Sequence, residues 1–99
     1  MEIPIVAYRE FYDVPRCFFV AYTSGYAFFD CPFDDLLDDY PDEYRVYFFP
    51  NIVNLNLNGS WEAIAEAGVE IGKVPVARVE FDSTRRKSIS SDVLEELTK

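Results

Sequence analysis

The stretch Arg16 to Cys31, RCFFVAYTSGYAFFDC, restricts what this chain can fold into more than any other. Apart from Arg16 and Asp30 its two arms are β-branched, aromatic or small apolar residues, and Thr23-Ser24-Gly25 is the one turn-like cluster between them. That is the pattern of a β-hairpin. A three-residue loop with Gly25 in the left-handed position of a bulge would pair Tyr22 with Tyr26, Ala21 with Ala27, Val20 with Phe28, Phe19 with Phe29 and Cys17 with Cys31. This register alternates bulky layers with a small one and is preferred to a two-residue loop, which would set Phe19 against Asp30 and Ala21 against Phe28. Because both faces of the arms are apolar, the hairpin should be central, covered on each side by helices or by a sheet that curls over it.

The chain has 99 residues, 49% of them hydrophobic and 17% aromatic, with a net charge of -9. Residues 1-99 therefore read as a single globular domain whose aromatic content outweighs the disordering pull of its charge. No apolar run approaches the length of a membrane span, and Glu2 and Pro4 stand where a basic, apolar leader would begin. The expectation is a cytoplasmic protein away from the membrane, as a monomer or homodimer.

Ile3 to Phe11 reads as the first strand and Tyr12-Asp13-Val14-Pro15 as the connection into the hairpin. Phe33, Leu36, Leu37 and Tyr40 are spaced for one helical face, with Asp34, Asp35, Asp38 and Asp39 on the other, so a short helix is expected from about Pro32 to Tyr40. Its apolar stripe would cover the hairpin. Tyr44 to Phe49 is the next strand, and strict alternation makes Ile52 to Leu57 another, with Asn54, Asn56 and Asn58 on its open side. Ser60 is placed to cap a helix carrying Trp61, Ile64, Ala65, Gly68 and Ile71, which ends at Gly72 or sooner at Gly68. Val74 to Phe81 is the last expected strand, broken by Asp82-Ser83-Thr84. Ser90 then caps a C-terminal helix, with Ile89 and Leu94 at hydrophobic-staple spacing.

The fold class implied is α+β: a twisted, mainly antiparallel sheet of five or six strands, curled toward a small SH3-like barrel, with two or three short helices. A flatter open sheet is the competing arrangement.

Chemistry is sparse in this sequence. The absence of His leaves Ser and Cys without their usual base, and no phosphate-loop, dinucleotide or nucleophile-elbow pattern occurs, so no cofactor and no catalytic residue is assigned. A carboxylate mechanism, or a ligand site using carboxylates, would centre on Asp30 among its Phe neighbours. Cys17 and Cys31, opposed in the preferred register, could be bridged across the hairpin base, though the plainer expectation is two reduced thiols packed as small apolar groups.

The sharpest feature is acidic. Asp30, Asp34, Asp35, Asp38, Asp39, Asp42 and Glu43 follow one another with no Lys or Arg until Arg45. The plain reading is a solvated, solubilising face. An irregular calcium site is one functional alternative; no metal ligand is assigned, because the glycine an EF-hand loop needs is missing. The other alternative, and the site expected here, is a docking surface for a basic protein partner formed by Asp34, Asp35, Asp38, Asp39, Asp42 and Glu43. Nucleic acid is disfavoured by the overall charge, which Arg85-Arg86-Lys87 is too small to reverse. With Ser88 that triplet looks like a basophilic kinase site, although a solvated loop explains it as well. In size, charge and aromatic content the chain resembles small acidic proteins that bind and inhibit basic nucleases or toxins, without a residue-level match. That resemblance implies a non-enzymatic, inhibitor- or immunity-like interaction module.

Overall fold

The computed structural model describes residues 1–22, 25–49 and 58–98. Four strands form a continuous antiparallel meander and neighbourhood: β1 (Glu2–Phe11), β2 (Pro15–Tyr22), β3 (Gly25–Asp30) and β4 (Glu43–Phe49). Helix α1 (Trp61–Ala67), strand β5 (Val69–Pro75), a 3₁₀ turn (Val76–Arg78), strand β6 (Ser88–Ser90) and helix α2 (Asp92–Leu97) complete it. The sheet has six strands in the order β5-β4-β3-β2-β1-β6, all antiparallel. Among the described residues it ends on β5 and β6 and does not close, and it shows no SH3-like barrel. The segment Ile52 to Leu57, expected as a strand, lies outside the described residues.

The hairpin is central, as its two apolar faces require, but its register differs from both of those weighed above. Cys17 faces Asp30, Phe18 faces Phe29, Phe19 faces Phe28, Val20 faces Ala27 and Tyr22 faces Gly25. Shifting one strand by a single residue changes which side chains share a face. The observed register stacks Phe18 on Phe29 at 4.7 Å on one face and Phe19 on Phe28 at 4.4 Å on the other. Each such aromatic pair contributes about 0.5–1.5 kcal/mol beyond the area it buries. The expected register would instead have put Asp30 opposite Phe18, in the main core; here it faces Cys17 at the rim of the other face.

The two faces carry separate cores. On one, Phe18, Val20, Ala27, Phe29, Tyr44 and Val46 lie under Ile89 of β6 and Val93 and Leu94 of α2. On the other, Cys17, Phe19, Phe28 and Phe49 are covered by Trp61 and Ala65 of α1. Trp61 meets Phe19 and Phe28 edge-on, at 4.9 and 5.7 Å. Helix α1 starts where Ser60 Oγ accepts from the Ala63 amide and stops at Gly68. A Cβ on Gly68 would lie 2.7 Å from Phe49 Cζ, so only glycine lets the chain turn so close to that ring.

Of the two expected ends of α1 the earlier, Gly68, is observed; Gly72 lies in β5 at a bulge, with φ of 151°. Two further expectations are corrected. No strand runs from Val74 to Phe81, because the chain leaves β5 after Pro75, the Val76 amide donating to Asp42 O, and turns through Val76–Arg78. Phe81 keeps only an isolated bridge to Ile89. The last helix starts one residue later than expected: Ser91 holds the N-cap position without a side-chain cap bond, while Ser90 ends β6 paired with Glu2 and its Oγ accepts from the Asp92 amide at 3.5 Å.

Candidate functional site

The largest departure from expectation falls on the acidic segment. No helix spans Pro32 to Tyr40. Asp34 and Asp39 form an antiparallel bridge around a tight turn, with backbone bonds of 2.9 and 3.4 Å. Asp34 Oδ1 accepts from the Leu36 and Leu37 amides, and Asp38 takes a left-handed conformation at φ 53°. Asp side chains compete for backbone amides in this way, and a nine-residue helix rich in Asp has too little propagation to offset its nucleation.

The consequence is an apolar tip on an acidic loop. Leu36 is 97% exposed, Leu37 62% and Phe33 43%, so of the stripe expected to cover the hairpin only Tyr40 packs against the core. Asp35, Asp38 and Asp39 are exposed around it and Asp34 is half-buried, while Asp42 and Glu43 are exposed where the loop returns to β4. All six acids expected as a docking surface are therefore on one connected stretch, joined by three apolar residues that sequence spacing had assigned to the core.

The loop is anchored at its root. Arg16 is 7% exposed. Its guanidinium lies 2.6 Å from Asp13 Oδ1 and donates to Pro41 O at 3.2 Å. The ring of Tyr40 lies beneath it at 5.1 Å, and Tyr40 packs edge-on against Phe33 at 5.3 Å. The Cys31 thiol donates to the same Pro41 carbonyl at 3.2 Å.

A second site lies on the α1 face. A cleft of about 440 Å³ is walled by Arg9, Glu10, Cys17, Phe28, Asp30 and Trp61. Arg9 is the cross-strand partner of Cys17 and places its guanidinium over Trp61 at 4.4 Å. By strand alternation the next residue, Glu10, would point to the opposite face. Its φ of 55° turns it back, and Glu10 Oε2 reaches Cys17 Sγ at 3.1 Å. That left-handed conformation costs about 1–2 kcal/mol outside glycine. Asp30 Oδ1 approaches the same sulfur at 3.3 Å.

Burial raises the Asp30 pKa above its ordinary value, and the charges of Glu10 and Glu62 add to the rise against the opposing effects of the Cys17 contact and Arg45. Burial also pushes the Cys17 thiol up, reinforced by both carboxylates, which disfavours the thiolate. Sequence reasoning singled out Asp30 but missed Glu10, whose approach depends on a backbone angle that no Glu in a strand pattern announces. Among the described residues no group of three or more Cys, Asp or Glu side chains is arranged to hold a metal ion.

No protein-family model, curated protein or solved structure matches this chain. No helix among the described residues is long and apolar enough to cross a membrane.

Proposed function

We propose that the chain is a non-enzymatic protein-interaction module that binds a basic partner through the loop from Pro32 to Pro41, an inhibitor- or immunity-like mode of action. The observation that carries this reading is the exposure of Leu36 and Leu37 on a loop whose backbone is fixed by Asp34 and whose root is anchored by Arg16. Exposed apolar residues rimmed by charge are a mark of interaction surfaces. Each leucine buried by a partner would contribute about 1.5–3 kcal/mol, and the surrounding acids would speed encounter with a basic surface. Asp34, Asp35, Asp38, Asp39, Asp42 and Glu43 supply that field.

The test is affinity capture with the full chain at low salt, comparing wild type with Leu36→Ser/Leu37→Ser and with Asp38→Lys/Asp39→Lys. A basic protein retained by wild type and lost with both variants, while their unfolding curves stay unchanged, is the expected result. An identical set of retained proteins on all three would reject the loop as the binding element.

A second reading, a small enzyme or ligand-binding domain using carboxylates, is favoured by the strained Glu10 facing Asp30 in the α1-side cleft. It requires Asp30→Asn to abolish an activity or ligand shift that the loop variants leave intact.

A further inference from the structure

The cleft floor poses a counting problem that the docking loop does not touch. Cys17 Sγ is 3.1 Å from Glu10 Oε2 and 3.3 Å from Asp30 Oδ1, and a thiol has one proton to give. If both carboxyls were ionised, two anions would compete for that single weak donor on a buried sulfur. A second proton resolves the arrangement, because a protonated carboxyl donates to sulfur while the thiol donates to the other carboxylate.

We infer that Asp30, Cys17 and Glu10 form a proton-held latch that ties β3 and β1 across Cys17 of β2, in which Asp30, protonated from solvent and keeping that proton, hydrogen-bonds through its O–H to the Cys17 sulfur, and the Cys17 S–H hydrogen-bonds to the Glu10 carboxylate. Direction is set by surroundings. Asp30 is half-buried beside the ring of Phe28, whereas Glu10 is exposed and next to Arg9, so the neutral form belongs on Asp30. The charged groups facing the cluster are Arg9 and Glu10 from β1, Glu43 and Arg45 from β4, Lys73 from β5 and Glu62 from α1; Arg16 faces the other side of the sheet with Cys31. Burial and the charges of Glu10 and Glu62 favour the protonated form of Asp30; the Cys17 contact and Arg45 oppose it.

When pH rises, Asp30 releases its proton to solvent and two carboxylates are left around one S–H. Repulsion then acts on Glu10, the member held by a left-handed backbone, and the end of β1 loosens from β2. The latch opens the cleft over Cys17 as pH rises and closes it as pH falls. This inference is independent of the docking loop and stands or falls without it.

The experiment is a carbon-13 titration of the side-chain carboxyls of the full chain, with backbone amide shifts followed in parallel, in wild type, Asp30→Asn and Cys17→Ala. In wild type Asp30 should titrate above its ordinary value of 3.8, and the Glu10 and Cys17 amides should move with the same midpoint. In Asp30→Asn, whose amide donates to sulfur at every pH, those amide transitions should vanish. In Cys17→Ala the Glu10 amide should no longer follow Asp30, which separates a sulfur-linked latch from simple burial. Asp30 titrating at or below 3.8, Glu10 amide shifts that ignore Asp30, or coupling that survives Cys17→Ala would each overturn the inference.

Discussion

The Arg16 guanidinium is almost wholly buried, yet its ion-pair partner Asp13, 2.6 Å away, is more than half exposed. The pair joins the β1–β2 connection to the root of the acidic loop, because the same guanidinium donates to Pro41 O. A buried charge that loses its counterion is destabilising out of proportion to the pair's net worth. Asp13→Ala should therefore lower stability by about 1–3 kcal/mol, seen as a lower urea midpoint at unchanged slope. A shift within error of zero would mean that Pro41 O and Cys31 alone satisfy Arg16.

The pair also sets a pH dependence. Burial by itself would raise the Asp13 pKa, but the hydrogen bond and charge of Arg16, together with bonds from the Asp13 and Val14 amides, outweigh it and hold Asp13 below 3.8. A carboxyl depressed in the folded state contributes stability that is complete above its unfolded pKa and is lost as pH falls through the folded one. Wild type should lose stability across that acid window, and Asp13→Asn should flatten this part of the profile. An acid limb of the same depth in Asp13→Asn would assign it to other carboxylates, of which Asp82 is the foremost: its bonds to Thr84, Lys87 and Ser88 also hold its pKa down.

The acidic loop carries its own stability prediction. Asp34 Oδ1 accepts two loop amides, so Asp34→Ala removes the side chain that holds the turn and should cost about 1 kcal/mol. Asp38 has φ 53°, where glycine has no steric penalty, so Asp38→Gly should stabilise by a few tenths to about 1 kcal/mol. Thermal unfolding of the two variants checks both signs. Had the segment been a helix, Asp38→Gly would have been destabilising instead.

Much of this fold could be read from residue order, and the parts that could not have physical reasons. β1, β4 and the start of α1 follow from apolar runs and from Ser60, features local enough for the sequence to state them. The hairpin register was hidden because both faces of β2 and β3 are apolar. A one-residue slip exposes nothing polar except Asp30, so the usual penalty against slipping is weak. The acidic loop misled because Phe33, Leu36, Leu37 and Tyr40 have helical spacing, while the deciding interactions, Asp34 to two amides, are side-chain bonds that periodicity does not register. Half of the α1-side cleft was visible in Asp30. The other half depended on the register that sets Asp30 against Cys17 and on the φ of Glu10.

Two glycines are close approaches of different kinds. A Cβ on Gly68 meets the Phe49 ring at 2.7 Å, and a Cβ on Gly72 meets Leu97 Cδ2 at 2.8 Å at a φ of 151°. Gly68→Ala should cost about 1–3 kcal/mol as an overpacking change. Gly72→Ala adds backbone strain, so adding Leu97→Ala should relieve the clash but leave the conformational cost. In a double-mutant cycle, coupling between Gly72 and Leu97 is expected to be non-zero, with the double variant still less stable than Leu97→Ala alone. Full recovery would mean that β5 can relax its bulge at Gly72.

The cysteines give the last prediction. Cys17 faces Asp30 and belongs to the core under α1, whereas Cys31 belongs to the core under α2, so their side chains leave the sheet in opposite directions. A disulfide needs Cβ atoms about 3.5–4.5 Å apart and aimed at each other, which adjacent strands cannot give from opposite faces. Both thiols are buried, and burial raises both pKa values, with Arg16 partly opposing the rise at Cys31. Mild oxidant should therefore leave the folded chain at its reduced intact mass. Alkylation should be slow in buffer and rapid in urea, because reaction must wait for opening of the core. A mass lower by two hydrogens in a chain that keeps its native near-UV spectrum would show that Cys17 and Cys31 meet, and would restore the register that places them opposite each other.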